Sequence, residues 1–109
     1  MLRMVFFLKG STGSSEKELS YYGTATALSS GRERLAGASV GDYALFGGGY
    51  KGSYSDVVDA YNTSLTRSTP TALSVARRDL AGASVGDYAL FGGGFKGSYS
   101  NVVDVYEFS

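Results

Sequence analysis

Residues 35–61 read LAGASVGDYALFGGGYKGSYSDVVDAY, and residues 80–106 read LAGASVGDYALFGGGFKGSYSNVVDVY. The two stretches lie 45 residues apart and differ at three of 27 positions: Tyr50/Phe95, Asp56/Asn101 and Ala60/Val105. Upstream, Thr26-Ala27-Leu28-Ser29 returns as Thr71-Ala72-Leu73-Ser74 and Arg32 returns as Arg77, so the unit extends backward past Leu35. Self-similarity at a fixed period of this size marks a repeat architecture, in which one supersecondary unit covers the apolar side of the next.

Within a unit, turn formers divide the chain into short β-type pieces. Strand A is expected over Leu35 to Val40 and strand B over Tyr43 to Phe46, the latter ending in three glycines. The Gly41-Asp42 link between them suits a tight hairpin, whose turn positions need positive φ. Strand C is expected over Asp56 to Tyr61. After an Asn62-Thr63-Ser64 turn, a fourth strand falls between Leu65 and Leu73, and Pro70 makes it an edge strand. The second unit repeats A, B and C and then stops. Strands B and C lack clean apolar/polar alternation, as expected where both faces of a sheet are covered. Nearer the N-terminus, Val5-Phe6-Phe7-Leu8 followed by Gly10, Gly13 and Ser14 echoes strand B and its glycine loop, with Glu18-Leu19-Ser20-Tyr21 as a strand C. The expected organisation is all-β: a degenerate partial unit at 1–23, a first repeat at 24–68 and a second at 69–109.

Composition narrows the chemistry. Ten basic and ten acidic residues give a formal net charge of zero, and they are scattered, so there is no electrostatic case for nucleic acid. The Arg77-Arg78 pair reads as a solvated face. Cysteine and histidine are both absent, which disfavours metal and haem sites and excludes imidazole-dependent triads; no cofactor is expected. The apolar run Met4 to Leu8 is too short for a secretory signal, and nothing approaches the roughly 18 apolar residues of a membrane helix, so no membrane partner is expected. The compartment stays open.

Two apparent motifs lose their force in context. Gly47-Gly48-Gly49-Tyr50-Lys51-Gly52 and its repeat at 92–97 satisfy G-x-G-x-x-G, yet a β-type run with Val57-Val58 follows where a dinucleotide site needs a helix. Asp42, Asp56 and Asp59, with Asp87 and Asp104, offer carboxylates. Acid/base pairs need two contrasting environments, whereas these acids recur in near-identical ones.

Four apolar residues, a glycine doublet and a tyrosine at a set distance resemble the kelch repeat. Tyr43-Ala44-Leu45-Phe46-Gly47-Gly48 with Tyr61, and Tyr88 to Gly93 with Tyr106, carry the resemblance, and Arg32 and Arg77 sit where kelch repeats often place an arginine before strand A. It covers Thr24 to Ser109. The tryptophan of the kelch pattern is missing, and residues 65–67 stand in its place. The resemblance implies a partial kelch-like β-propeller, about two to two and a half blades of four antiparallel strands. It also implies loops that bind protein or carbohydrate partners. Fewer than three blades cannot close a ring, so self-association or further blades are expected.

The B to C loops present Tyr50, Lys51 and Tyr54, and in the second unit Phe95, Lys96 and Tyr99, on glycine-rich backbone. Tyrosine brings a large contact area with few torsions to freeze and a hydroxyl to orient. These six residues, with Arg32 and Arg77 from the preceding loops, are the expected ligand contacts, and no catalytic residue is expected. The reading is a non-enzymatic recognition or structural module for a protein or glycan. The alternative is a fragment of a propeller hydrolase or lyase whose active site lies elsewhere.

Overall fold

The structure is a computed structural model that describes residues 17–109. Strands β1 (Ala36–Val40), β2 (Tyr43–Gly47), β3 (Val58–Tyr61) and β4 (Arg67–Ser68) form one antiparallel sheet in chain order. Strands β5 (Ala81–Val85), β6 (Tyr88–Gly92) and β7 (Val103–Glu107) form a second, three-stranded sheet with the same connectivity. The all-β expectation holds, and among the described residues there is no helix. Gly41 and Gly86 take φ of +55° and +54° in the two hairpin turns, the conformation the Gly-Asp link requires.

Strand C begins two residues later than expected, at Val58. The Gly48 amide still meets the Val57 carbonyl in register at 2.9 Å, but the Asp56 carbonyl is taken by the Leu73 amide at 2.8 Å and the ladder stops. Strand D is only two residues long. Asn62 folds the turn before it by accepting from the amides of Ser64 and Thr66 at 2.9 and 3.0 Å, and Pro70 closely follows it. Glu18-Leu19-Ser20-Tyr21, expected as a strand, forms none: Leu19 and Tyr21 are exposed, and no strand among the described residues pairs with this segment. The expected strand at Val5 to Leu8, with Gly10, Gly13 and Ser14, lies outside the described residues.

The two sheets stack, and identical sequences are buried on opposite faces. In β2 the segment YALFG buries Leu45 and Gly47, whereas in β6 the same five residues bury Ala89 and Phe91. Cross-strand register places Leu45 beside Ala38 and Ala60, so Ala36, Val40, Leu45, Val58 and Ala60 share one face of the first sheet. Ala89 and Phe91, with Leu73 and Leu80 from the linker, meet that face and complete the core. We call the face used by the first sheet its trailing face and the face used by the second its leading face.

The sheets come into backbone contact at Gly37 and Gly82. A Cβ at Gly82 would fall 2.1 Å from the Gly37 carbonyl oxygen, so the backbones themselves touch. Phe91, with no exposed surface, lies on Gly47, where an added Cβ would stand 3.1 Å from its ring. Fully burying such a ring is worth about 1.5–3 kcal/mol.

Candidate functional site

The loop after β2 is held by its own backbone. Gly49 accepts from the Ser55 amide at 2.9 Å, the Lys51 amide donates to Ser53 at 3.0 Å, and Tyr50 exchanges both backbone bonds with Glu33 at 3.0 and 2.8 Å. The second loop repeats these bonds through Gly94, Ser100, Lys96, Ser98, Phe95 and Arg78. Gly49, at φ +116°, has no room for a side chain, since its Cβ would lie 2.7 Å from the Glu33 carbonyl oxygen. The glycine-rich loops are therefore shaped platforms rather than slack chain.

Four rings line up across the two loops. Tyr50 and Tyr54 meet edge to face at 5.6 Å between centroids, Tyr54 and Phe95 at 6.1 Å, and Phe95 and Tyr99 at 5.7 Å. The ridge thus crosses from one sheet to the next, and it ends at Tyr99, which is 91% exposed. The guanidinium of Arg78 lies over Phe95 at 4.8 Å and over Tyr50 and Tyr54 at 6.0 Å each, within cation–π range. Lys51 and Lys96 stand exposed beside the rings. A cavity of about 420 Å³ opens at the Tyr99 end, lined by Arg78, Asp79, Gly94, Phe95 and Tyr99.

Arg32 and Arg77, expected as ligand contacts, are placed differently. Neither exposes any side-chain surface. Arg77 donates to the carbonyls of Gly93, Val75, Phe91 and Val102 at 2.6, 3.0, 2.9 and 3.4 Å, and to the Asp104 carboxylate at 2.9 Å. Arg32 repeats the set on Gly48, Ser30, Phe46, Val57 and Asp59. A guanidinium has five N–H donors, so each arginine is committed to its own unit, pinning the glycine loop to the start of strand C. They support the ridge from below and leave nothing for a ligand.

The paired acids are structural as well. Burial alone would raise the pKa of Asp59, but hydrogen bonds from Ser29 and Arg32 outweigh it and the net shift is downward. Asp104 follows the same balance through Arg77 and Ser74. The hydroxyl of Tyr106 donates to the Thr71 carbonyl at 2.7 Å, and burial with the nearby Asp104 charge pushes its pKa from 10.0 up to about 12. Asp59 Oδ1 and Arg67 Nε have no hydrogen-bond partner and stand 4.0 Å apart, near enough for their charges to serve each other.

A pH dependence follows with definite signs. The depressed acids contribute stability that is complete above their ordinary value of 3.8 and lost as pH falls through the folded values. Tyr106 keeps its proton in the folded state while the unfolded chain ionises, so stability is unaffected below pH 10.0 and declines toward pH 12. Denaturant midpoints measured by circular dichroism should form a plateau between about pH 5 and 9, with separate acid and alkaline losses. Tyr106→Phe should remove part of the alkaline loss.

Sequence reasoning missed three participants. Arg78 was read as a solvated charge, yet it is the cation of the ridge. Asp59 and Asp104 recur 27 residues after Arg32 and Arg77, a fixed spacing that signals the ion pairs. Among the described residues no cluster of His, Cys, Asp and Glu is arranged to hold a metal ion, and no helix is long and apolar enough to cross a membrane. No protein-family model matches the chain, and no curated protein matches its sequence.

Proposed function

We propose that the chain is a non-enzymatic recognition module, a segment of a kelch-like propeller that offers its aromatic and cationic ridge to a protein or glycan surface. The observation that carries this reading is the continuous row Tyr50, Tyr54, Phe95 and Tyr99, with Arg78 over three of its rings. Aromatic side chains and arginine dominate the energetics of recognition surfaces, because they bury much area for little lost freedom. Rings with exposed faces suit sugar planes and apolar side chains. Lys51 and Lys96 favour partners that also carry carboxylates, while the Arg78 guanidinium is already paired with the Asp79 carboxylate. The sheets beneath act as scaffold, their buried arginines fixing where each loop stands. The stacked sheets, the meander order and the kelch-like sequence pattern together support the propeller reading.

Arrays of glycans and of acidic peptides, probed with the native chain, distinguish the two partner classes. Tyr99→Ala removes a ring that is 91% exposed, so the fold should be untouched. Affinity for the captured partner should fall by about tenfold or more, a typical loss for an aromatic anchor. Unchanged binding by Tyr99→Ala and by Arg78→Gln, both with native circular dichroism, would remove the ridge from consideration.

A further inference from the structure

Equivalent positions in the two units form an interface once and offer it once more. On the leading face of the second unit, Leu73, Leu80, Ala89 and Phe91 are 4%, 8%, 0% and 0% exposed. Their counterparts Leu28 and Leu35 are only half-buried, Ala44 is exposed and Phe46 is 38% exposed. On the trailing face the inequality reverses. Val40, Val58 and Ala60 are buried, whereas their counterparts Val85, Val103 and Val105 are 64%, 54% and 54% exposed. Each open face is thus a near copy of a face already mated inside the chain.

We propose that a second copy of this chain docks its leading face, carrying Phe46, onto the exposed trailing face of the second sheet, reproducing the internal junction. The charges at the junction support this choice of occupant. Inside the chain, Arg34 of the first unit pairs with Asp79 of the second at 3.6 Å. These two residues occupy equivalent positions 45 residues apart. At a junction between copies, Asp79 of one therefore faces Arg34 of the next. The pair stays opposite in sign when the roles are exchanged, so the register that works internally is also matched between copies.

The shapes agree. Gly47 carries the Phe91 ring, and its counterpart Gly92 meets only Val103 of its own sheet, which leaves the place for Phe46 open. Tyr54 stacks on Phe95 across the internal junction, so Tyr99 stands where the Tyr50 ring of the next copy would continue the ridge. One contact is not reproduced: Phe108 covers Gly41, and the residue equivalent to Phe108 is Thr63. Because leading and trailing faces differ, the association is head to tail. It holds whatever the ridge binds.

Gly37 supplies a test that spares the fold. A Cβ there meets nothing nearer than 3.8 Å, whereas at the equivalent Gly82 it would strike backbone at 2.1 Å across the internal junction. Gly37→Ala should therefore fold normally and block the leading face, and Val105→Asp should put an unpaired charge into the trailing face. Light scattering coupled to gel filtration of the native full chain should give a whole multiple of 11.4 kDa that dissociates on dilution. Each variant alone should associate about tenfold or more weakly, while their mixture, with one good face from each, should form a one-to-one dimer. A native chain that is monomeric throughout, variants that assemble as well as the native chain, or a mixture that stays monomeric would each overturn the proposal.

Discussion

Arg77→Met is expected to cost about 3 kcal/mol or more, because one fully buried guanidinium serves five acceptors and its removal leaves them without a donor. Here Asp104 would lose its 2.9 Å bond, and the carbonyls of Gly93, Phe91, Val75 and Val102 would lose their donor in the same step. Domain stability totals only about 5–15 kcal/mol, so the variant should be largely unfolded at moderate temperature. Arg77→Lys should rescue little, since an ammonium is a point charge and cannot span acceptors arranged around a planar fork. Urea midpoints of the native chain and the two variants check this. A lysine variant of native stability would mean that charge, and not the fork, holds the loop.

Gly82→Ala is the second large effect, and its counterpart Gly37→Ala is the control. Both substitutions fall in the sequence AGASV, and both strands favour a side chain over glycine in local terms. At Gly82 the new carbon meets the Gly37 carbonyl oxygen at 2.1 Å, a backbone atom that cannot swing aside. The sheets must separate, which costs about 1–3 kcal/mol or more. For a chain of this size, measured at a dilution at which copies do not associate, the melting temperature should drop by roughly 10 °C, whereas Gly37→Ala should leave it level or raise it slightly. Equal shifts for the two variants would mean that the sheets do not meet where these glycines place them.

These two cases separate what the amino-acid order makes legible from what it does not. Strands A and B are readable almost to the residue, because the Gly-Asp turn and the three glycines bound them. Strand C is two residues shorter at its start than its pattern predicts because the Asp56 carbonyl is taken by Leu73 of the linker, a demand set by a neighbouring segment. The burial of YALFG was unreadable in principle. The same five residues bury Leu45 in one sheet and Phe91 in the other, and only the position of the adjacent sheet decides.

At the candidate site the aromatic residues were legible as loop positions, and their alignment into one ridge was not. The row depends on the spacing between sheets, which brings Tyr54 of one unit to Phe95 of the next. The arginines were misplaced for a definite reason. A charged side chain before a strand ordinarily faces water, and Arg32 and Arg77 depart from this because the bent glycine loop turns several carbonyls inward around one guanidinium.

The stacking of one near-identical sheet on the other underlies the ridge, the buried core and the docking of copies alike. A nuclear Overhauser measurement on the Phe91 ring probes it at its centre. Cross-peaks from Phe91 to the α-protons of Gly47 are expected, alongside those to Tyr106, whose ring lies 5.9 Å away within the same sheet. Cross-peaks confined to Tyr106 and other residues of the second sheet, with none to Gly47, would contradict the stacked arrangement.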